Sequence, residues 1–318
     1  MANTSLFFVT PDSSTDGNFR AWGLAISNAL TAVGLTMVTD ANQINWGGVA
    51  HPTSTNQVMG YEMRQFTDAL QSGGGSNPIY IKFEYAGGVT DVAAPTIQIT
   101  VGQSQNGSGT LGGTVSTKIY CGAYAANTTA NTFLCFVSSD GGRINLALFI
   151  NSGYINIATA FYVERTKNSS GTPTADGVNI GCLSSTATTA AYWQYLPSSG
   201  ALNPASPSTP MCCAPGGPPT SAADTAGAVT DMGINCGMYP IFPNRGYPDN
   251  PDMGAFVYNI NDFGGNSNGA GALISVSIYG SNHMYVLMGK NYAGTNTTLN
   301  GATAYGVPYF WALAVRYE

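Results

Sequence analysis

Between Ile79 and Tyr85 the sequence IYIKFEY places Ile79, Ile81, Phe83 and Tyr85 on one side of an extended chain, and Tyr80, Lys82 and Glu84 on the other. Side chains alternate faces along a strand, so this period of two dictates a half-buried strand with one apolar face. Gly87-Gly88 and Pro95 break the run. A second alternating stretch follows, with Ile97, Ile99 and Val101 inward and Thr96, Gln98 and Thr100 outward. The two predict an antiparallel pair whose connection is longer than a tight hairpin. No cluster of acid, base or nucleophile lies on this pair, which makes it scaffold.

The remaining elements are arranged around that pair. Asp16 is expected to cap a helix running to about Val33, with Phe19, Trp22, Ile26, Leu30 and Val33 on one face and Gly34 as its left-handed stop. A second short helix is expected from near Asn56 to just before Gly73. Met59, Met63, Phe66 and Leu70 would form its apolar stripe, and Glu62, Arg64 and Asp68 its polar back. The helical part thus spans about 16–72. Beyond Val101 the sequence predicts strands and turns. These are Phe133–Val137, a hairpin at Asp140-Gly141, Arg143–Ile150, Tyr154–Arg165, Phe256–Ile260, Leu273–Tyr279, Met284–Met288 and the closing VPYFWALAVRYE. Many short strands at this spacing indicate a mainly β chain. The expected form is an antiparallel β-sandwich or barrel-like body with two short N-terminal helices and long Pro/Gly-rich loops. Seven prolines between Pro197 and Pro219 mark an irregular excursion over about 197–220. A second proline cluster, Pro240 to Pro251, bounds a turn containing Arg245 and Tyr247. No internal repeat or linker divides the chain, so residues 1–318 are expected to form a single β-rich body.

Charge narrows the function classes. Only 8% of residues are charged, against about 25% in an ordinary soluble domain. A surface so short of charge must be covered by neutral polar residues or by other subunits, and copies of the chain itself are the expected partners. The net charge is −6 with ten Lys and Arg spread thinly, so no basic patch predicts nucleic-acid binding. No apolar run reaches the length of a membrane span, and MANTSLFFVTPD lacks the positive n-region of a signal peptide. The chain is therefore expected to be made in the cytoplasm, without membrane insertion.

The chemistry-bearing residues are sparse. Six cysteines stand at 121, 135, 182, 212, 213 and 236 without C-x-x-C spacing, and there are two histidines, which gives a zinc site little to work with. Free thiols are expected, with Cys121 and Cys135 as buried small apolar residues. Whether Cys212, Cys213 and Cys236 are free or bridged stays open. Gly107-Ser108-Gly109-Thr110-Leu111-Gly112 fits G-x-G-x-x-G, but the β-like GTVSTKIY follows where a phosphate-binding helix is required, so the segment is read as a turn. Asp249 and Asp252 supply too few oxygens for calcium. Glu164 and Arg165 are adjacent and face opposite ways along a strand. His51 and His283 are expected at the surface rather than in a triad. Tyr192, Trp193 and Tyr195, or Tyr247 near Arg245, could form a sugar-binding platform; core or subunit packing is the simpler role. No catalytic, cofactor-binding or metal-ligating residue is assigned, and no cofactor is expected.

Several stretches together resemble a group of tailed-bacteriophage virion proteins. They are INWGGV (44–49), GYEMRQFTDALQ (60–71), IYIKFEYAGG (79–88), PTIQITVG (95–102), FYVERTKNSSGTPTADGV (161–178) and LAVRYE (313–318). The resemblance covers the N-terminal half and the last residues, and it rests on packing and turn patterns. It implies a non-enzymatic structural protein assembled in several copies in the tail, baseplate, neck or fibre region. Its partners would be other virion proteins, its location the virion, and its place of assembly the bacterial host cytoplasm. A capsid-decorating protein and a receptor-binding, lectin-like module that meets host surface glycan are the alternatives. A polysaccharide hydrolase is a more distant one, because glycosidase chemistry needs two carboxylates at a set separation.

Overall fold

The structure, a computed structural model, describes residues 3–73, 77–122, 132–150, 157–168, 171–186, 189–200, 211–212, 220–221, 238–241, 252–259, 273–278, 281–287 and 311–318. In chain order, β1 (Asn3–Val9) and α1 (Asp16–Ala32) lead to β2 (Thr36–Met37), β3 (Val58–Gln65), β4 (Tyr80–Ala86), β5 (Thr96–Gln105), β6 (Leu111–Val115) and β7 (Ile119–Gly122). Then come β8 (Phe133–Ser139), β9 (Arg143–Ile150), β10 (Ile157–Lys167), β11 (Pro173–Thr186) and β12 (Thr189–Pro197). The last group is β13 (Met211–Cys212), β14 (Thr220–Ser221), β15 (Met238–Ile241), β16 (Asp252–Asn259), β17 (Leu273–Ile278), β18 (Ser281–Leu287) and β19 (Trp311–Arg316).

These strands make three antiparallel sheets. The first runs β1-β8-β9-β10-β11-β12; the second runs β2-β3-β4-β5-β6, with β7 also on β5; the third runs β14-β13-β15-β16-β19-β18-β17. The antiparallel pair expected from the alternating residues 79–101 is β4 with β5, with Ile81 opposite Val101, Phe83 opposite Ile99 and Tyr85 opposite Ile97. Those apolar faces turn toward Val137, Leu146, Phe161, Val163 and Ile180 of the first sheet in one continuous core. The rings of Phe83 and Phe161 cross it edge to face at 6.3 Å. Each large apolar side chain taken from water there contributes about 1.5–3 kcal/mol. The mainly β, antiparallel, sandwich-like character predicted from strand spacing is therefore present.

The helix α1 closes one side of the core with Phe19, Trp22, Ile26 and Leu30. Its cap is Thr15 rather than Asp16. Thr15 has extended backbone and its hydroxyl accepts the Asn18 N–H at 3.2 Å, while Asp16 is the acidic residue of the first turn. Gly34, at φ +82°, carries the chain out of the helix as expected.

The expected second helix is a correction. Residues 58–65 are strand β3, paired with β4, and α1 is the one α-helix among the described residues. A helical reading made Glu62 and Arg64 a solvated back. In the observed register Glu62 stands opposite Phe83 and Arg64 opposite Ile81, so both point to the inner face. Tyr61 and Met63 take the outer one, where Lys82 lies 4.7 Å over the Tyr61 ring. Gly60 adds a steric reason, since a Cβ there would come within 2.7 Å of Ile44. The proline-rich excursion lies mostly outside the described residues; within it, Met211–Cys212 pairs with Thr220–Ser221.

The third sheet sits on the outer face of the first. Ser138 Oγ and Asn145 Nδ2 both donate to the Arg316 carbonyl oxygen, at 3.0 and 2.7 Å. Thr4 Oγ1 donates to the Tyr317 carbonyl oxygen at 2.9 Å, and the Phe136 and Tyr317 rings meet at 5.4 Å. The C-terminal strand is thus tied into the body, as its alternating pattern predicts.

Candidate functional site

Most of the described charge is engaged in ion pairs, and several of those pairs are buried. Arg64, fully buried, reaches across from β3 to α1. Its Nε and Nη2 donate to Glu62 Oε2 at 3.0 and 2.8 Å. Its remaining donors go to Thr31 Oγ1 and the Leu35 carbonyl at 3.0 and 2.9 Å, and to the Ser27 carbonyl and Oγ at 3.0 and 3.1 Å. Glu62 in turn accepts from Trp46 Nε1 at 3.0 Å and Tyr85 Oη at 3.3 Å. A buried pair tolerates desolvation only when its remaining donors and acceptors are met, and here they are. Burial, then the Glu62 charge, pushes the Tyr85 hydroxyl well above the ordinary phenol range.

A second cross-link joins the first sheet to the loop after β3. Arg165 binds the Asp68 carboxylate through Nε and, at 2.9 Å, through Nη2, and donates to the Asn77 carbonyl at 2.8 Å. Its guanidinium lies 5.3 Å from the Phe66 ring centroid. The adjacent Glu164 points the other way and pairs with Lys167, so the expected opposition of Glu164 and Arg165 holds. On the second sheet Glu84 holds Lys82 at 2.9 Å and Lys118 at 2.7 Å. Burial alone would raise the Glu84 carboxyl; the two ammonium groups outweigh it and hold the group below its ordinary value.

The junction of the first and third sheets gathers a third group. Arg143 Nε lies 3.3 Å from Asp140 Oδ2, and its two terminal nitrogens, fully buried, find no hydrogen-bond partner among the described residues. Arg316 Nη2 lies 2.7 Å from His283 Nδ1. A guanidinium only donates, so Nδ1 accepts and the ring is neutral with its proton on Nε2. Burial, then the charges of Arg316, Arg143 and Lys167, pull His283 down to about 4, with Glu164 opposing. His283 is therefore half-buried in a cationic setting rather than a free surface group. His51 is part-exposed, with Nδ1 2.6 Å from Asp16 Oδ1. The side-chain and backbone bonds from His51 hold the Asp16 carboxyl below its ordinary range.

Gly107 and Gly109 adopt positive φ in a turn, and strand β6 begins at Leu111 where a dinucleotide fingerprint needs a helix. Cys121 and Cys135 are both buried. Burial pushes the Cys121 thiol far above its ordinary value, which leaves it a weak donor to the Ala160 carbonyl at 3.6 Å rather than a nucleophile. Cys182 and Cys212 fall in strands, but their side chains, like Cys213 and Cys236, lie outside the described residues. Of the sugar-platform residues, Tyr195 is buried and donates to the Asp176 carbonyl at 2.9 Å, so it presents no open ring face. Tyr192 and Trp193 belong to β12, with side chains outside the described residues, as are Arg245, Tyr247 and Asp249 and the side chain of Asp252. Among the described residues no three His, Cys, Asp or Glu side chains converge as a metal site. No described helix is long and apolar enough to cross a membrane.

The exposed face that stands out is apolar and lies along β1. Leu6 and Phe8 are 53% and 67% exposed, and Leu134, opposite Phe8 in the ladder, is 46% exposed. A trough of about 240 Å³ lies beside them, with Leu6, Leu134, Phe136, Leu273, Val286 and Tyr317 among its lining residues. Nothing in the sequence reading pointed to this strand, because Leu6-Phe7-Phe8-Val9 is a continuous apolar run without the alternation that marks a half-buried strand. The fold and this face define a class: a multi-sheet antiparallel β protein whose described charge is largely paired and whose edge strand β1 exposes apolar side chains. Comparison with family models, curated proteins and solved structures finds no match for the chain.

Proposed function

We propose that this chain is a non-enzymatic structural subunit of a tailed-bacteriophage particle, assembling in several copies in its tail, baseplate, neck or fibre region. The observation that carries the reading is where the charge goes. With 8% charged residues, the chain places Arg64, Arg143 and Arg165 wholly inside, and Arg64 and Arg165 link strand to helix and strand to loop. That leaves little charge to solvate the outside, and it leaves an exposed apolar strand. Such a surface suits lasting contact with other subunits. The resemblance of the 44–49, 60–71, 79–88, 95–102, 161–178 and 313–318 stretches to phage virion proteins supplies the biological setting.

The test is the composition of purified particles. Mass spectrometry of banded virions should return peptides of this chain in multiple copies, and immunogold labelling should fall at the neck or along the tail. Label over the head would move the chain to capsid decoration. Absence from the particle, with turnover of host polysaccharide by the purified protein, would overturn the structural reading.

A further inference from the structure

Among the described residues the first sheet ends at β1. There this strand pairs only with β8, through seven consecutive residues from Asn3–Ser139 to Val9–Phe133, without a bulge. In an antiparallel ladder alternate residues aim their N–H and C=O groups at each neighbour, so half of the β1 backbone groups face away from β8. No hydrogen bond from another described element reaches them. Sheet edges of this kind are normally blunted by lysine, proline, a bulge or an inward charge. Residues 3–9, NTSLFFV, carry none of these.

Two hollows flank the same edge. On the outer side lies the apolar trough at Leu6 and Leu134. On the helix side a hollow of about 370 Å³ is lined by Phe8, Asn18, Ala21 and Trp22, with Val9, Thr10, Asp12 and Thr132 around it. The edge is therefore reachable, and both of its flanks leave room for side chains. The opposite end of the sheet is different. There Gln103 donates to the Pro197 carbonyl, Thr114 Oγ1 to the Gly200 carbonyl at 2.7 Å, and the Thr117 N–H to Gln194 Oε1 at 3.0 Å, so the second sheet covers β12.

We propose that β1 is the self-association edge of this protein, pairing antiparallel with β1 of a second copy across a two-fold axis at Phe7. The strand itself names the occupant. A two-fold at Phe7 sets Leu6 opposite Phe8 of the other copy, twice, on the exposed face, and sets Ser5 opposite Val9. Aliphatic–aromatic cross-strand pairs are the stabilising kind, and no like charges meet. The contact is isologous and closes after two copies, joining two six-stranded sheets into one. It rests on the reading of the chain as an assembling subunit and gives that subunit its first contact.

Sedimentation velocity of the full chain at micromolar concentration should show a dimer. Phe8→Glu, which changes an exposed side chain, should raise the dissociation constant about 100-fold or more by placing a carboxylate against Leu6 of the other copy. Under oxidation the double variant Leu6→Cys/Phe8→Cys should form a covalent dimer that the wild type and both single variants do not. A monomeric wild type, or a dimer indifferent to Phe8→Glu, overturns the proposal. Cross-linking of Leu6→Cys alone overturns the two-fold at Phe7, because that product requires the axis at Leu6. Particle composition separates this from the functional reading. A monomer found in virions overturns only the edge pairing, whereas a dimer absent from virions overturns only the phage role.

Discussion

The two ends of the first sheet are built from opposite materials. At β12 the last strand is covered by polar groups of the second sheet, with Gln103, Thr114 and Gln194 bridging the gap. At β1 the last strand shows Leu6 and Phe8 to solvent. The difference separates an end that is covered within the chain from an end that is left exposed. A boundary that is finished within one chain is met by hydrogen bonds, since its buried backbone has to be satisfied there. A boundary left apolar and unguarded is where the proposed second copy would pair.

The same contrast runs through the interior, where polar cross-links carry monomer stability and the β1 side chains do not. The largest test is Arg64→Ala. It strands the Glu62 carboxylate in the core beside Trp46 and Tyr85, and should cost about 3–5 kcal/mol in chemical denaturation. A loss under about 1 kcal/mol would mean that the buried pair is not a structural link.

Next in size is acid at the junction of the first and third sheets. His283 is held near 4 in the folded protein against 6.5 unfolded, so between those values the unfolded chain binds the extra proton. Stability is therefore full above pH 6.5 and falls as the pH drops toward 4. The loss should be about 1 kcal/mol once screening of a half-exposed ring is allowed for. His283→Gln keeps an acceptor for Arg316 and should flatten that part of the pH profile. An unchanged slope would place the titrating group elsewhere.

At the closed end, Gln103→Ala removes the donor to the Pro197 carbonyl and the acceptor of the Thr114 N–H. It should cost about 0.5–1.5 kcal/mol. The smallest effect belongs to the open end. Phe8→Glu should leave monomer stability within about 0.5 kcal/mol, as an exposed substitution does, while abolishing self-association. If it unfolds the monomer instead, β1 is core and the contrast fails.

How much of this was legible depended on whether burial follows polarity. The β4–β5 pair, the buried face of α1, the Asp140-Gly141 hairpin and the turn at Gly107 all show in the sequence, because apolar residues there face in and turn residues face out. Strand β3 did not show, because its inward positions Glu62 and Arg64 are charged, and only their mutual pairing makes burial tolerable. Strand β1 did not show for the converse reason: Leu6 and Phe8 are apolar and point outward. The docking of the third sheet runs through the Arg316 and Tyr317 carbonyls, which every residue has, so no side-chain pattern announces it. The candidate surface was thus the least legible part of the chain, since an edge strand with apolar side chains turned outward breaks the rule that pattern reading relies on.

The most direct measurement is amide exchange along residues 3–9 of the wild type and of Phe8→Glu, each followed across a dilution series. The account predicts that the amides of β1 that face away from β8 are protected in the wild type at high concentration, and that this protection is lost on dilution and absent throughout in Phe8→Glu. Fast exchange of those amides in the wild type at every concentration, equal to that of the variant, would contradict it.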